Sequence, residues 1–174
     1  MTDTEHNGMT PWRMLKPVLA LPGTVLVLVP GVLLWATGTL DGPENALALL
    51  VGFVAALIGL SLAAWTARLF VTVGKGTPAP WDPPARLVIQ GPYRYVRNPM
   101  ITAVLLMLLA EALLFGSWPI AYWMVVFAVG NMIYFPLSEE PGLEKRFGDN
   151  YRRYKANVPR WIPRLTPWSP EAPE

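Results

Sequence analysis

The chain has 174 residues, 53% of them apolar and only 15% charged, with a mean hydropathy of +0.34. Those values are unusual for a soluble domain. Fourteen Lys and Arg against 12 Asp and Glu leave a formal charge of +2, and the lack of cysteine excludes disulfides, a thiolate nucleophile and a Cys-ligated metal.

One domain is expected at this length. Residues 1–16 are mostly polar and hold the only histidine, His6, which suits a disordered tail better than a catalytic site. Pro17 to Thr39 then carries no charge. This run is longer than the hydrophobic part of a signal peptide, so it is expected to remain in the protein and span a membrane. Residues 46–67 are again uncharged, and Arg68 closes the run. Residues 101–137 carry a single charge, Glu111, and are split by "FGSWP" at 115–119. A bilayer core takes roughly 20 helical residues. The chain therefore reads as all-α and integral to the membrane. Its four transmembrane helices are expected at about 17–39, 46–70, 99–115 and 118–137, the third short and in a tight hairpin with the fourth.

Charge sets the orientation. Arg13 and Lys16 precede the first run, Arg68 to Arg97 lie around the loop after the second, and Lys145 to Arg164 follow the fourth. The connectors "LDGPEN" and "FGSW" hold no Lys or Arg, so all 14 basic residues fall on one side, which the positive-inside rule makes cytoplasmic. Both termini are then inside. Anionic headgroups account for the basic excess without a nucleic-acid partner. Glu111 is an intramembrane carboxylate and so a functional candidate, and four helices with one such residue also describe a small transporter. It lies only about five residues from the outer hairpin, roughly 7 Å of helix rise, where it can snorkel or pair.

Chemistry is expected in two cytoplasmic segments, 74–98 and 138–165. The first opens with "GKGTPAPWDPPARLV", whose glycines and prolines suit an ordered loop rather than a helix. In the second, Leu143, Phe147, Tyr151, Tyr154 and Val158 form one stripe at helical spacing. That pattern predicts an interfacial helix with its basic residues toward headgroups, in the simplest case a membrane anchor. Pro136 should end or kink the fourth helix. Glu139 and Glu140 just after it argue for more than an anchor, because adjacent carboxylates at a basic membrane face favour a cationic ligand.

Between the second and third runs stands "QGPYRYVRNP", a polar and aromatic knot in a greasy chain. "GPYRYVRNPM", then a hydrophobic hairpin, then "EEPGLEKRFGDNYRRYKANVPR" resembles the isoprenylcysteine carboxyl methyltransferase and phospholipid methyltransferase superfamily. The first motif of that superfamily runs roughly Gly-x-Tyr-x-x-x-Arg-His-Pro-x-Tyr, and the second is Glu-Glu, then Phe-Gly, then spaced tyrosines. The resemblance covers about 85–160. It implies a single membrane methyltransferase domain over 1–174 that moves a methyl group from S-adenosylmethionine to a lipophilic acceptor, with a cytoplasmic loop and C-terminal interfacial helix forming the cofactor pocket. A lipophilic small molecule or lipidated substrate and membrane lipids are the implied partners. It places the cofactor against Leu87, Val88, Tyr93, the turn Asn98, Pro99, Met100 and Ile101, and Glu139. Glu140, Arg97 and Arg146 are the catalytic candidates.

The residue chemistry agrees with that placement. A carboxylate such as Glu139 answers an ammonium, the ring of Tyr93 suits adenine, and the free N–H groups opening the third helix, with Asn98 as N-cap, suit an anionic end. Two departures stand out. The superfamily's His is Asn98 here, and the Tyr two residues after its Pro is Ile101. Phe135 occupies the position at which the prenylcysteine enzymes carry an arginine for the substrate carboxylate. Arg97 or Arg146 would have to replace it. A phospholipid amine N-methyltransferase is the enzyme alternative, a four-helix transporter using Glu111 the rival from another class, and a structural lipid-binding protein the third.

Overall fold

The structure, a computed structural model, describes residues 22–75 and 84–170. His6, Arg13, Lys16 and the start of the first apolar run lie outside these residues. The described chain is helical, and it contains no strand. Helix α1 is Thr24–Thr37, α2 is Ala46–Gly74, α3 is Pro99–Phe115, α4 is Trp118–Tyr134 and α5 is Glu140–Asn157. Among the described residues, α2 and the continuous stretch Trp118–Asn157 are long and apolar enough to cross a membrane. Helices α1 and α3 are apolar but shorter.

The boundaries follow from local chemistry. Asn45 caps α2 by accepting a hydrogen bond from the Ala48 N–H at 2.9 Å. Helix α3 starts on Pro99, whose missing N–H costs nothing at a helix start. It stops at Gly116, which takes a left-handed φ of 63°. Ser117 then opens α4, which makes the hairpin as tight as expected.

Helices α2 and α3 lie against each other through small residues. A Cβ on Gly59 would stand 3.0 Å from the Ala103 carbonyl oxygen, so only glycine lets the backbones approach this closely. At one end of the bundle the two connectors without basic residues meet. Gly42 donates its N–H to the Phe115 carbonyl at 3.1 Å, and the Thr39 and Ser117 hydroxyls are 3.0 Å apart. Loop 84–98, α5 and the segment after it gather at the other end.

Regular α4 ends at Tyr134, just before Pro136, but the helical chain continues. It passes into α5 through a π-helical turn, Phe135–Glu139, in which the Glu140 N–H reaches back to the Phe135 carbonyl. Proline at 136 has no N–H for the carbonyl one turn back, and the wider turn takes up that defect without breaking the rod. A break comes later, at Gly148, with φ 54° and ψ −130°.

Candidate active site

The knot in the sequence is a folded wall. Gly91 has a φ of 54°, and a Cβ there would stand 2.9 Å from the Trp65 ring, so the turn needs glycine both for its conformation and for contact with α2. Pro92, Tyr93 and Val96 are buried behind it. The Tyr93 ring meets Phe70 edge-on at 5.8 Å between centroids, and its carbonyl accepts a 2.7 Å hydrogen bond from the buried Tyr154 hydroxyl.

The stripe on α5 turns inward. Tyr151, Tyr154 and Val158 are buried against Leu87, Ile89, Leu143, Phe147 and Trp168. The helix expected at the interface thus packs its apolar stripe on the protein itself, while its basic residues at 152 and 153 are exposed. Its apolar face covers Leu87 and Ile89 of the protein's own loop. The segment beyond α5 completes the wall with a run of backbone pairing. Arg97 donates to the Pro159 carbonyl at 2.9 Å, Arg164 to Tyr95 at 3.0 Å and Trp168 to Arg94 at 2.9 Å. The Arg94 Nε returns a hydrogen bond to the Trp168 carbonyl at 2.8 Å.

These walls enclose a cavity of about 330 Å³, within the range of small-molecule sites. Leu87, Val88, Tyr93, Arg97, Asn98, Met100, Ile101, Glu139 and Arg146 line it. Pro99 and Glu140, also expected at the site, do not. Phe70, Phe135, Ser138, Tyr151 and Tyr154 line it as well. Phe70 gave no signal in the sequence, whereas the two tyrosines belong to the stripe.

Glu139 and Glu140 are neighbours with different surroundings. Glu139 faces the cavity, where burial raises its carboxyl above the ordinary value although the charge of Arg146 opposes this. Glu140 is only 2% exposed, and its carboxylate gathers three cations. Oε1 accepts from Arg97 Nη1 at 2.9 Å and from Arg160 Nε at 2.6 Å, and Oε2 pairs with Lys155 Nζ at 3.1 Å. Burial alone would raise this carboxyl. Hydrogen bonds from Arg160 and Lys155 and the nearby Arg97 and Arg160 charges outweigh that and hold it below the ordinary value. Burial raises the phenols of Tyr93 and Tyr154, so both stay protonated at neutral pH and neither is a base.

Two donors in the cavity wall have no hydrogen-bond partner among the described residues. They are the buried Arg97 Nε and the buried Asn98 Nδ2. Asn98 holds the N-cap position of α3, yet its side chain makes no capping bond. The expected capping role is therefore corrected: the side chain makes no capping bond, and its amide nitrogen is buried without a partner among the described residues. Buried donors without partners are rare and call for an acceptor. Glu111 lines no cavity described here, and its Oε2 is buried without a hydrogen-bond partner among the described residues.

The phospholipid methyltransferase family model matches residues 47–150, from the start of α2 through the break in α5. The chain belongs to the phospholipid methyltransferase family. The family match covers the first motif, the hairpin and the start of the second motif through Asn150, so most of the cavity lining falls in the matched stretch, with Tyr151 and Tyr154 beyond it. The chain is also 41% identical over 64 residues to an uncharacterized protein of Haemophilus influenzae, a stretch that is 36% of this chain and all of that protein. No solved structure matches it. As a phospholipid methyltransferase family member with long apolar helices, this is a membrane protein of methyltransferase type.

Proposed function

We propose that this protein moves a methyl group from S-adenosylmethionine to a lipophilic acceptor within the membrane. The observation that carries this reading is the donor set of the cavity. One carboxylate, Glu139, stands in the same wall system as two unpartnered donors, Arg97 Nε and Asn98 Nδ2, with aromatic and aliphatic side chains between them. That set fits a ligand with an ammonium, an anionic end and a flat base. Bound there, S-adenosylmethionine supplies an electrophilic methyl group on a sulfonium.

In this reading Glu139 holds the ammonium, and Asn98 with the free N–H groups of Met100 and Ile101 holds the anionic end. Leu87, Val88 and Tyr93 stack on the base. Arg97 and Arg146 face the acceptor's polar group. Glu140 is a positioning residue rather than a base, because three cations hold its carboxylate ionised and outside the cavity. Methyl transfer needs alignment more than proton transfer, and fixed geometry supplies roughly 7–11 kcal/mol.

The acceptor arrives sideways. Leu105, Leu109, Val125 and Met132 line a second, apolar groove between α3 and α4, of about 340 Å³. Thr102 of that groove follows Ile101 of the cavity, and Met132 lies one turn from Phe135. Phe135 stands against Trp161 with ring centroids 5.7 Å apart, so apolar surface occupies the position where a carboxylate acceptor would call for a cation. This favours a phospholipid amine over prenylcysteine; such an amine reacts in its neutral form, its proton released to water before the S–CH3 bond breaks and the N–CH3 bond forms. Calorimetry should show S-adenosylmethionine or S-adenosylhomocysteine binding to the solubilised, folded protein. Labelled donor should then place its methyl group in a lipid extract more efficiently than in a farnesylated cysteine analogue. Absence of nucleotide binding sinks the enzyme reading, and faster turnover of the cysteine analogue reverses the acceptor preference. A transporter would instead require Glu111 and tolerate changes at Glu139.

The membrane reading comprises four spanning helices with both termini cytoplasmic. It rests on the one-sided placement of the 14 basic residues and on the meeting of the two connectors without Lys or Arg at the far end of the bundle. Reporter fusions after Pro43 and after Pro170 should give opposite-side signals. Same-side signals refute the orientation.

A further inference from the structure

Residues 158–170 form a strap that the methyltransferase reading uses only as a wall. Its inner side is fixed: Val158 is 1% exposed, and backbone hydrogen bonds tie Arg164 and Trp168 to the 94–95 stretch of the loop. Its outer side is apolar. Ile162 is 79% exposed and Leu165 is 98% exposed, although both stand in a segment whose backbone is held in place. Pinned in this way, neither side chain can swing inward to find cover in the protein.

We propose that residues 161–165 are a docking surface for the lipid bilayer, seated among the headgroups beside the cytoplasmic end of α4. The Trp161 ring packs edge-on against Phe135 at 5.7 Å. Phe135 continues directly from Ile133 and Tyr134, exposed apolar side chains at the end of α4, and Leu137 follows. The strap therefore runs level with the point where α4 leaves the apolar zone, and Ile162 and Leu165 prolong its lipid-facing surface. An aromatic residue at that depth is a usual interfacial anchor. Pro159, Pro163 and Pro167 lack an N–H, which lowers the number of backbone donors that must lose water on entering the interface. The exposed Arg153 of α5 and the half-buried Arg164 of the strap give the same end a positive charge suited to anionic headgroups.

This docking does not depend on catalysis, so its test is separate from that of the enzyme reading. The chain has no cysteine, so Leu165→Cys offers a single labelling site in the full-length protein. A bimane attached there is read in vesicles of phosphatidylcholine and phosphatidylglycerol, with Asp149→Cys, whose side chain is 84% exposed, as the water-facing reference. The bimane at 165 should lose most of its emission to lipid brominated in the acyl chain and little to iodide, and the reference should do the reverse. Equal loss to iodide at both sites overturns the docking. Protection from both quenchers at 165 overturns it too, since the surface is then covered by protein. Ile162→Cys provides a second site with the same expected outcome should the Leu165 variant fold poorly.

Discussion

Replacing Glu140 with alanine is expected to lower stability by about 3–5 kcal/mol, the usual cost of stripping one partner from a buried ion pair. The loss is large because one carboxylate compensates Arg97 from the loop, Lys155 from α5 and Arg160 from the strap. Without it, Arg97, itself only 10% exposed, is left as a buried and unpaired charge. Thermal melting in detergent measures the effect. Glu144→Ala is the reference: its pair with Lys155 at 3.2 Å is partly exposed on both sides and is worth about 0–1 kcal/mol. Equal losses for the two variants would show that Glu140 holds nothing together. The pH dependence has a definite sign. The Glu140 carboxyl is lowered in the folded protein, so its contribution is present above the ordinary carboxylate value and is lost as pH falls through the lowered one.

Glu139→Gln should leave the fold intact and weaken binding of the methyl donor by roughly 10- to 100-fold. That range corresponds to about 1.5–3 kcal/mol for one charged hydrogen bond. Burial raises the Glu139 carboxyl, so in the folded protein its proton is held more tightly and its ionised form costs stability at neutral pH. An ammonium in the cavity relieves that cost, which is what suits a desolvated carboxylate to recognition. Donor affinity should accordingly decline as pH drops through the raised value, sooner than for an ordinary glutamate. Titration calorimetry over a pH series reads both effects. An unchanged affinity in Glu139→Gln removes this residue from the site.

The helices were legible because apolar runs report them directly. The start of α2 at Ala46 and both ends of α3 fall where the sequence reading put them, since Asn45, Pro99 and Gly116 are local signals that need no tertiary context. Glu139, Tyr93 and Asn98 were legible for a different reason, the order and spacing of two motifs. Tertiary pairing was hidden. Lys155 and Arg160 looked like ordinary basic residues near a membrane, and nothing local tells a cation that faces headgroups from one that faces Glu140. The strap has no periodicity, because it binds through its backbone and its prolines interrupt any repeat. Tyr151 and Tyr154 were seen as one apolar face, but periodicity gives the existence of a face and not what covers it. Residue identity likewise made Glu139 and Glu140 look like a pair. Adjacent helical positions point about 100° apart, and that angle separates a cavity wall from a buried ion cluster.

The antiparallel pairing of the strap with the loop has a consequence for how the protein is made. Arg94 and Trp168, joined by hydrogen bonds in both directions, are 74 residues apart, and the entire α3–α4 hairpin is synthesised between them. A nascent chain can therefore insert its helices while the cavity still lacks one wall. Closure of so distant a contact comes late. Binding of the proposed methyl donor should thus mature only after the strap has left the ribosome, so that a chain stalled before Trp168 is inserted in the membrane yet unable to hold that donor.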